Sequence, residues 1–543
     1  MKRRVAGLLG ALVMLGVFAP GAAAPASAHA LLAESTPADG ATVDEPPMEV
    51  TLTFTESLDP LLTVAHVLDA EGTRVEVGRV EIPGAPNRAR LALGALAQGV
   101  YTVTWRTTST FDGHTTVGTV AFGVGVPAAA AGATGAATGV RPPTPIAVSG
   151  RWLFYLGAVL LVGAGTVGVL IVAKPSFVSV WLLNVAWAVA ALGLVLTIAD
   201  HRAATRTSLG NLLESSTGQK LSAQAIAVGL TWLAVGWASL RPSRWSLGAV
   251  GVGASAIMLQ RALAGHADAS TVPWFTVGTQ WLHLVAVGAW VGGLAWLLVA
   301  FRRGDPGRGL GLARRFSTVA LVMLVVVAVS GTLRAVDEVG AWSRMLDTSF
   351  GVTLLVKLGL FAALVALGAR SRFRHVAAAT AARVVGLRRT VRAEVVVGVA
   401  VLGAAAVLAG LPPSASVAEA ERLQRPRGVT ISGNDFATSV RVRVIVNPGS
   451  AGPNQFDATV VDYDSRKPLG ADTVTLRFQS VDRADVAATS LELKRDDDSH
   501  WRGSSSALSL EGRWTVTAVV QSTTDAVEVP MELVTGRRAS GPS

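Results

Sequence analysis

Two places in the chain carry side chains suited to binding a transition metal. The first is His29, which follows a segment with three early positive charges, a short apolar stretch and the sequence Ala26-Ser27-Ala28. This pattern is typical of a secretion signal, residues 1–28, whose cleavage would make His29 the first residue of the mature chain. A terminal amine and the Nδ1 atom of the same histidine can chelate one metal ion, and imidazole nitrogen suits copper or zinc.

The second place is Asp112-Gly113-His114. On an extended strand, residues two apart point to the same face, about 7 Å from each other. With the terminal residue they would offer two imidazoles, an amine and a carboxylate, a set that fits Cu(II) better than Cu(I). The chain has no cysteine, so thiolate ligands are excluded. Taken alone, an Asp-Gly-His triplet is more often a simple turn than a metal site.

Further short motifs accompany these residues. They are His29-Ala30, Ser35-Thr36-Pro37-Ala38-Asp39-Gly40, Phe54-Thr55-Glu56, Phe111-Asp112-Gly113-His114, Gly118 and Phe122. Through them, residues 29–126 resemble the CopC copper-binding domain. The resemblance implies a Greek-key β-sandwich that binds Cu(II) through His29, Asp112 and His114, with Glu56 near the metal but not bound to it. His66 lies in an alternating stretch and is predicted to be an ordinary strand residue.

The composition of the chain indicates a membrane protein. The chain has 543 residues, which is too long for one domain. Half of the residues are hydrophobic and the mean hydropathy is +0.47, which is too apolar for a wholly soluble protein. The absence of cysteine also excludes disulfides and cysteine nucleophiles. The net charge of +10 would suit nucleic acid, but the basic residues cluster in short loops between apolar runs, as cytoplasmic loops of membrane proteins do. We therefore expect no nucleic-acid partner.

Eight apolar runs form the predicted membrane domain, residues 150–412, after a Pro/Gly/Ala-rich flexible linker at residues 127–149. Each run has about the 20 residues that a crossing helix needs. The runs are 150–173, 177–199, 221–240, 246–266, 275–300, 314–334, 350–369 and 392–411. Alternate loops carry about three times as many Lys and Arg residues as the others, which predicts that both ends of this multi-pass cell-membrane protein are extracytoplasmic.

This topology places His201, His266 and His283 toward the outer leaflet. His283 lies roughly 12 Å into the fifth run, and Lys357 is similarly deep in the seventh. Ionisable residues at such depth usually face the bundle interior or a water-filled path. Met258 precedes His266 by two helical turns and supplies a thioether suited to Cu(I). The candidate copper path consists of His266, His283, Met258 and Lys357, although structural hydrogen bonds are an alternative explanation for His283 and Lys357.

The membrane domain carries its own set of motifs. They are Gly265-His266-Ala267, the run from His283-Leu284 to Trp290-Val291-Gly292-Gly293-Leu294, Phe316-Ser317, Ser330-Gly331, Lys357-Leu358 and Leu387-Arg388-Arg389 to Glu394. With these motifs the domain resembles the CopD copper-resistance membrane domain, which implies movement of copper across the inner membrane. The Gly288–Gly293 segment is predicted to serve close helix packing. Glu394 is predicted to begin the last helix, where the helix dipole favours a carboxylate.

The last part of the chain, residues 425–543, alternates apolar and polar residues in short stretches, which predicts an extracytoplasmic β-sandwich. The pattern Gly512-Arg513-Trp514-Thr515-Val516 weakly resembles YtkA-like or FixH-like modules. We expect a docking or stabilising domain. A metal site is not expected there, because His500 has no second histidine near it in the sequence.

Together these observations predict a multidomain membrane protein, with an all-β Greek-key sandwich, an eight-helix bundle and a second β-sandwich. The leading hypothesis is capture of Cu(II) outside the cell and import of copper, with no enzymatic activity. One alternative is a copper chaperone or sensor that serves cuproenzyme assembly; another is a copper oxidase, since terminal-histidine copper sites also occur in monooxygenases. The expected partners are copper, membrane lipid and an extracytoplasmic copper donor or cuproenzyme. No P-loop is present, so an ATP-driven pump is not indicated.

Overall fold

The computed structural model divides the chain into two compact units, residues 1–424 and 425–543. It describes residues 30–82, 84, 86–126, 128, 139–140, 142–171, 178–265, 272–303, 306–340, 342, 345–376, 381–417, 428–435, 437–483, 485–522 and 525–535. His29, His266 and the predicted secretion signal lie outside these residues.

The first unit begins with a β-sandwich. Its strands are β1 Leu32–Thr36, β2 Ala41–Val43, β3 Glu49–Phe54, β4 Val64–Leu68, β5 Glu76–Glu81, β6 Arg88–Leu93, β7 Gly99–Thr108, β8 Thr115–Val124 and β9 Gly139–Val140. One sheet has the order β1-β3-β6-β5, and the other has the order β2-β8-β7-β4 with β9 paired to β8. Alternate residues of β3 point inward, where Phe54 meets Trp105 edge to face at 5.0 Å between ring centroids. The predicted β-sandwich is therefore confirmed.

Helices make up the rest of this unit. They are α1 Pro145–Thr166, α2 Val180–Thr205, α3 Leu209–Glu214, α4 Ser216–Leu240, α5 Arg244–Leu263, α6 Pro273–Val287, α7 Gly293–Arg303, α8 Pro306–Val339, α9 Ser349–Arg370 and α10 Ala381–Leu408. π-Helical turns extend α1 and α9 and join α6 to α7. Within the described residues, eight helical spans are long and apolar enough to cross a membrane. The eight predicted runs are confirmed as helices.

Three predicted boundaries change. Helix α1 begins at Pro145 behind the N-cap Thr144, and residues 139–140 pair with β8, so part of the predicted flexible linker is regular structure. Helix α5 ends at Leu263, so the helical face predicted to align Met258 with residue 266 stops before that residue. Glu394 lies near the middle of α10 and not at its start; its Oε1 accepts a hydrogen bond from Ser371 Oγ at 2.5 Å.

The glycines between α6 and α7 allow close helix packing, as predicted. A β-carbon on Gly292 would lie 2.0 Å from the carbonyl oxygen of Val159 in α1, a distance that no side chain tolerates. Glycine at this position therefore lets the two backbones touch, as small residues do at helix interfaces in membranes.

The second unit is an antiparallel β-sandwich, which confirms the fold predicted for it. Its strands are β10 Val429–Asp435, β11 Val440–Asn447, β12 Asn454–Asp462, β13 Thr473–Ser480, β14 Thr489–Arg495, β15 His500–Ser505, β16 Gly512–Gln521 and β17 Ala526–Thr535. They follow the order β10-β11-β12-β15-β14-β13-β16-β17. Alternating residues of β11 and β16 fill its core, with Trp514 among the largest buried side chains.

Candidate metal centre

Asp112 and His114 lie in the connection between β7 and β8. The expectation of an extended strand is wrong here, because Gly113 adopts a φ of +70° and turns the chain. The backbone N–H of His114 donates to Asp112 Oδ1 at 2.8 Å, and His114 Nδ1 lies 2.9 Å from Asp112 Oδ2. The turn therefore brings together two side chains that a strand would hold apart. We call residues 109–114 the copper loop.

Glu56 fixes the base of the copper loop through Ser109. Ser109 Oγ donates to Glu56 Oε2 at 2.5 Å and accepts from the backbone N–H of Phe111 at 3.1 Å. Burial, reinforced by the charge of Asp112, raises the pKa of Glu56 to about 9. Glu56 thus supports the loop from behind, and its predicted place near a bound metal stays a prediction.

The β-sandwich is docked directly on the membrane helices. Asp59, which is 1% exposed, accepts hydrogen bonds at Oδ2 from Ser216 N at 2.9 Å and from Ser216 Oγ at 2.6 Å. Ser216 is the first residue of α4, so the carboxylate also meets the positive end of the helix dipole. Lys220 Nζ, one turn further, donates to the carbonyl oxygen of Phe111 in the copper loop at 2.7 Å. The copper loop is therefore held against α4.

A cavity of about 420 Å³ extends from the copper loop into the helix bundle. Asp112 and His114 form part of its wall, and so do Met258, His283 and Lys357. Most of its other lining residues are apolar, and its charged ones are paired or hydrogen-bonded: Arg334 with Glu338, and Arg261 with the Tyr155 hydroxyl. Three of the four residues predicted to form a membrane path thus share one space with both loop residues.

The hydrogen bonds around His283 determine which of its ring nitrogens carries the hydrogen. Ser330 Oγ lies 2.9 Å from His283 Nδ1 and donates to the carbonyl oxygen of Val326 at 2.5 Å. Because a hydroxyl has one hydrogen, Nδ1 must be the donor to Ser330. That leaves the lone pair of His283 on Nε2, the arrangement in which a histidine binds a metal.

Not every predicted ligand can be placed. Within the part of the chain that the structure describes, no three His, Asp or Glu side chains converge closely enough to hold a metal ion. A copper ion at the loop therefore needs a ligand besides Asp112 and His114, which is the role predicted for His29. His66 lies in β4, where its Nδ1 is 2.9 Å from Glu76 Oε1, as expected of a strand residue.

Sequence reasoning missed several residues of this region. Asp59, Ser216 and Lys220 join the two domains, Ser330 orients His283, and His201 lies against the copper loop. The only signals available were the placement of His201 near the outer leaflet and the Ser330-Gly331 pair among the membrane motifs. Contacts between residues 47 to 157 positions apart in the sequence leave no local pattern to read.

Family models match two segments of the chain. Residues 32–125 match the CopC domain, and residues 310–408, which cover most of α8 to α10, match copper resistance protein D. The CopC resemblance is confirmed over residues 32–125 and the CopD resemblance over residues 310–408, whereas the motifs of the membrane domain before residue 310 lie outside the match and the resemblance suggested for the C-terminal unit stays a prediction.

Individual proteins also match. Copper transport protein CutJ of Bacillus subtilis strain 168 is 26% identical over 480 residues, which cover 83% of this chain and 85% of CutJ. The crystal structure of CopC from Methylosinus trichosporium OB3b is 30% identical and covers 18% of this chain and 93% of that chain, with a TM-score of 0.17. Selenomethionine PcoC, a copper resistance protein from Escherichia coli, is 25% identical and covers 17% and 97%, with a TM-score of 0.16.

Proposed function

We propose that this chain, which matches the CopC domain over residues 32–125 and copper resistance protein D over residues 310–408, captures copper outside the cell membrane and transports it inward, in the service of copper homeostasis and resistance. The names of the matching families and of CutJ describe copper resistance and transport, which supports this assignment and names no catalytic reaction. The eight apolar spans fit a multi-pass protein. Both β-domains are assigned to the extracytoplasmic side on the distribution of Lys and Arg between the loops.

One observation carries the proposal. The two copper-loop residues Asp112 and His114 line the same cavity as Met258, His283 and Lys357. The residues proposed for capture and those proposed for the membrane path are far apart in the sequence, yet they line one cavity. A binding protein that only handed copper to a soluble partner would have no use for that continuity.

Capture is assigned to the copper loop and the terminal residue. His29 would supply an amine and an imidazole, His114 a second imidazole and Asp112 a carboxylate, and this set of nitrogen and hard oxygen ligands suits Cu(II). The contact between His114 Nδ1 and Asp112 Oδ2 leaves the other ring nitrogen, Nε2, for the metal. Glu56 remains the support behind the loop.

The route inward is assigned to the cavity. Met258, which is 3% exposed, offers a thioether, and His283 offers the lone pair on Nε2. Thioether and imidazole favour Cu(I) more than the outer ligand set does, so reduction of Cu(II) by an external electron donor would ease the transfer into the cavity. Lys357 and His266 complete the proposed path, with His266 resting on its sequence position alone.

Uptake of radioactive copper by proteoliposomes of the full chain tests transport. We expect His283→Ala to lower the initial rate by about tenfold or more, the usual cost of removing a metal-binding group, while the electron paramagnetic resonance (EPR) spectrum of Cu(II) at the outer site stays unchanged. His66→Ala is the matched control and should transport normally. Wild-type vesicles that bind Cu(II) but accumulate none would contradict transport and favour the chaperone hypothesis.

The terminal ligand needs its own test. Chains that begin at His29 should bind one Cu(II) tightly, whereas chains with one extra glycine before His29 should bind it more weakly and show a different EPR spectrum, because the amine moves away from the imidazole. Equal affinities and spectra would remove His29 from the ligand set without affecting the transport assay.

A further inference from the structure

His201 lies in the last turn of α2 and faces the copper loop. A β-carbon built on Gly113 would be 3.4 Å from His201 Cε1. Cε1 is bonded to both ring nitrogens, so the edge of the imidazole that binds metals is turned toward the residue between Asp112 and His114.

His201 and the two loop residues Asp112 and His114 share a second, smaller cavity. His201, Asp112 and His114 line a space of about 100 Å³ at the junction of the two domains. Residues that line both this space and the larger cavity include Asp112, His114, Phe154 and Arg261. His283 lies in the wall of the larger cavity. The loop residues thus belong to the walls of both spaces, with His201 in the smaller one and His283 in the larger one.

The docking contacts hold this arrangement in place. Asp59 accepts two hydrogen bonds from Ser216, and Lys220 binds the carbonyl oxygen of Phe111 in the copper loop itself. His201 on α2 and the loop are therefore positioned by the same helical surface. A side chain that merely filled space between the domains would not need an imidazole.

We propose that His201 is a copper ligand supplied by the membrane domain, which receives copper from the outer ligand set as the ion enters the bundle. The inference rests on the proposed function. The step is a ligand exchange: a bond forms between copper and the lone pair of a His201 ring nitrogen, and the bond to one outer nitrogen ligand breaks. The released ligand is free to take a proton from water, and copper keeps its oxidation state.

An exchange, and not a fixed site, is what the geometry supports. Among the described residues, no three possible ligands converge on one point, so His201, Asp112 and His114 do not hold copper together in this arrangement. The imidazole is close enough to the loop to replace an outer ligand after a small movement. His201 thereby gives copper a nitrogen ligand from a helix before it leaves the β-sandwich.

The test compares His201→Gln with Thr217→Val in the full chain. Both side chains contact Gly113, since Thr217 Cγ2 would lie 3.0 Å from a β-carbon there, but only His201 offers a metal ligand. We expect His201→Gln to lower copper uptake by about tenfold or more, and Thr217→Val to stay within about twofold of the wild type. Wild-type uptake in His201→Gln, or equal losses in both variants, would overturn the proposal.

EPR spectroscopy separates this proposal from transport itself. As Cu(II) is added, the wild-type chain in detergent should show two copper spectra, and His201→Gln should show only the outer one. A single spectrum in the wild type would overturn the ligand role. Two spectra in a wild type that takes up no copper would overturn transport and leave His201 as a ligand.

Discussion

The chain contains two histidine–aspartate pairs of nearly equal geometry in its two β-sandwiches. His114 Nδ1 lies 2.9 Å from Asp112 Oδ2 in the first, and His500 Nδ1 lies 2.8 Å from Asp497 Oδ2 in the second. Their surroundings differ: the side chains are 17% and 1% exposed in the first pair and 52% and 58% exposed in the second. Pair geometry alone therefore does not distinguish a metal site from a surface turn.

What differs is the structure behind each pair. His114 and Asp112 sit on a loop that Ser109 ties to Glu56 and Lys220 ties to a helix, and they open into a cavity. The His500 pair closes a hairpin with Ser499, whose hydroxyl also contacts Asp497 and His500. Polar partners behind a metal-binding group orient it and raise its affinity, so the first pair is better suited to bind a metal than the second.

The largest expected effect breaks the first pair. His114→Ala or Asp112→Ala should weaken Cu(II) binding by about a hundredfold and abolish uptake, because each removes a proposed ligand. Isothermal titration with Cu(II) and the proteoliposome assay measure both. His500→Ala and Asp497→Ala are the matched controls, and a similar loss in them would show that the two pairs are functionally alike.

A second prediction concerns the serine behind a histidine. Ser330→Ala removes the acceptor that keeps the hydrogen of His283 on Nδ1, so Nε2 should no longer be held as the free ligand, and uptake should fall by about tenfold. Ser499→Ala, which removes the hydroxyl 3.1 Å from His500 Nδ1, should leave uptake unchanged. Binding of Cu(II) at the outer site should be normal in both variants. Full uptake in a well-expressed Ser330→Ala chain would contradict the orienting role.

A smaller effect is expected at the domain junction. Asp59→Asn keeps the shape of the side chain but removes its charge from the N-terminus of α4, which should weaken docking by about 1 kcal/mol. Faster amide hydrogen exchange at Ser216 and uptake reduced by about fivefold would be the result. Asp69→Asn is the control, because in the described contacts Asp69 Oδ1 accepts hydrogen bonds only within its own turn, from Glu71 N and Thr73 N. It should change neither the exchange rate at Ser216 nor copper uptake. Equal exchange rates in the two variants would contradict the docking role.

Only part of the fold could be predicted from the sequence. Alternating apolar and polar residues predicted the strands of the C-terminal unit, and apolar runs of crossing length predicted the helices, because burial imposes those periods on any sequence. The N-terminal β-sandwich was expected from the family resemblance. The sequence left the conformation at Gly113 open between a strand and a turn, since a glycine in a strand and a glycine at positive φ look the same in sequence. The separation of about 7 Å expected for a strand is therefore wrong, and the role of Asp112 and His114 as ligands stays a prediction.

The candidate site divides in the same way. Asp112, His114 and Glu56 belong to short motifs that a family resemblance can identify, and His283 stood out as an ionisable residue in an apolar run. His201, Asp59 and Ser330 gain their roles only from partners brought close by the tertiary fold, such as Ser216 for Asp59. A serine or an aspartate without such a partner is common in any sequence.

The last prediction compares how the stability of the two β-domains depends on pH. Burial and the nearby charge of Asp112 raise the pKa of Glu56 from 4.5 to about 9, so its contribution to stability is complete below pH 4.5 and is lost as the pH rises through 9. Hydrogen bonds from Ser499 N and then from His500 lower the pKa of Asp497 from 3.8 to about 2, so its contribution is present above pH 3.8 and is lost as the pH falls through 2.

Thermal unfolding of the two separate domains, each closed around its own hydrophobic core, measures this difference when a chelator keeps copper away. The N-terminal domain should lose stability as the pH rises from 5 to 9, and Glu56→Gln should flatten that slope because an amide does not titrate. The C-terminal domain should show no such loss over this range from Asp497, whose exposed carboxylate is already ionised, and Asp497→Asn should alter only the acidic limb. Added Cu(II) should reduce the slope of the wild-type N-terminal domain, since a cation beside Asp112 favours the ionised form of Glu56. A slope that survives in Glu56→Gln would assign the effect to another group.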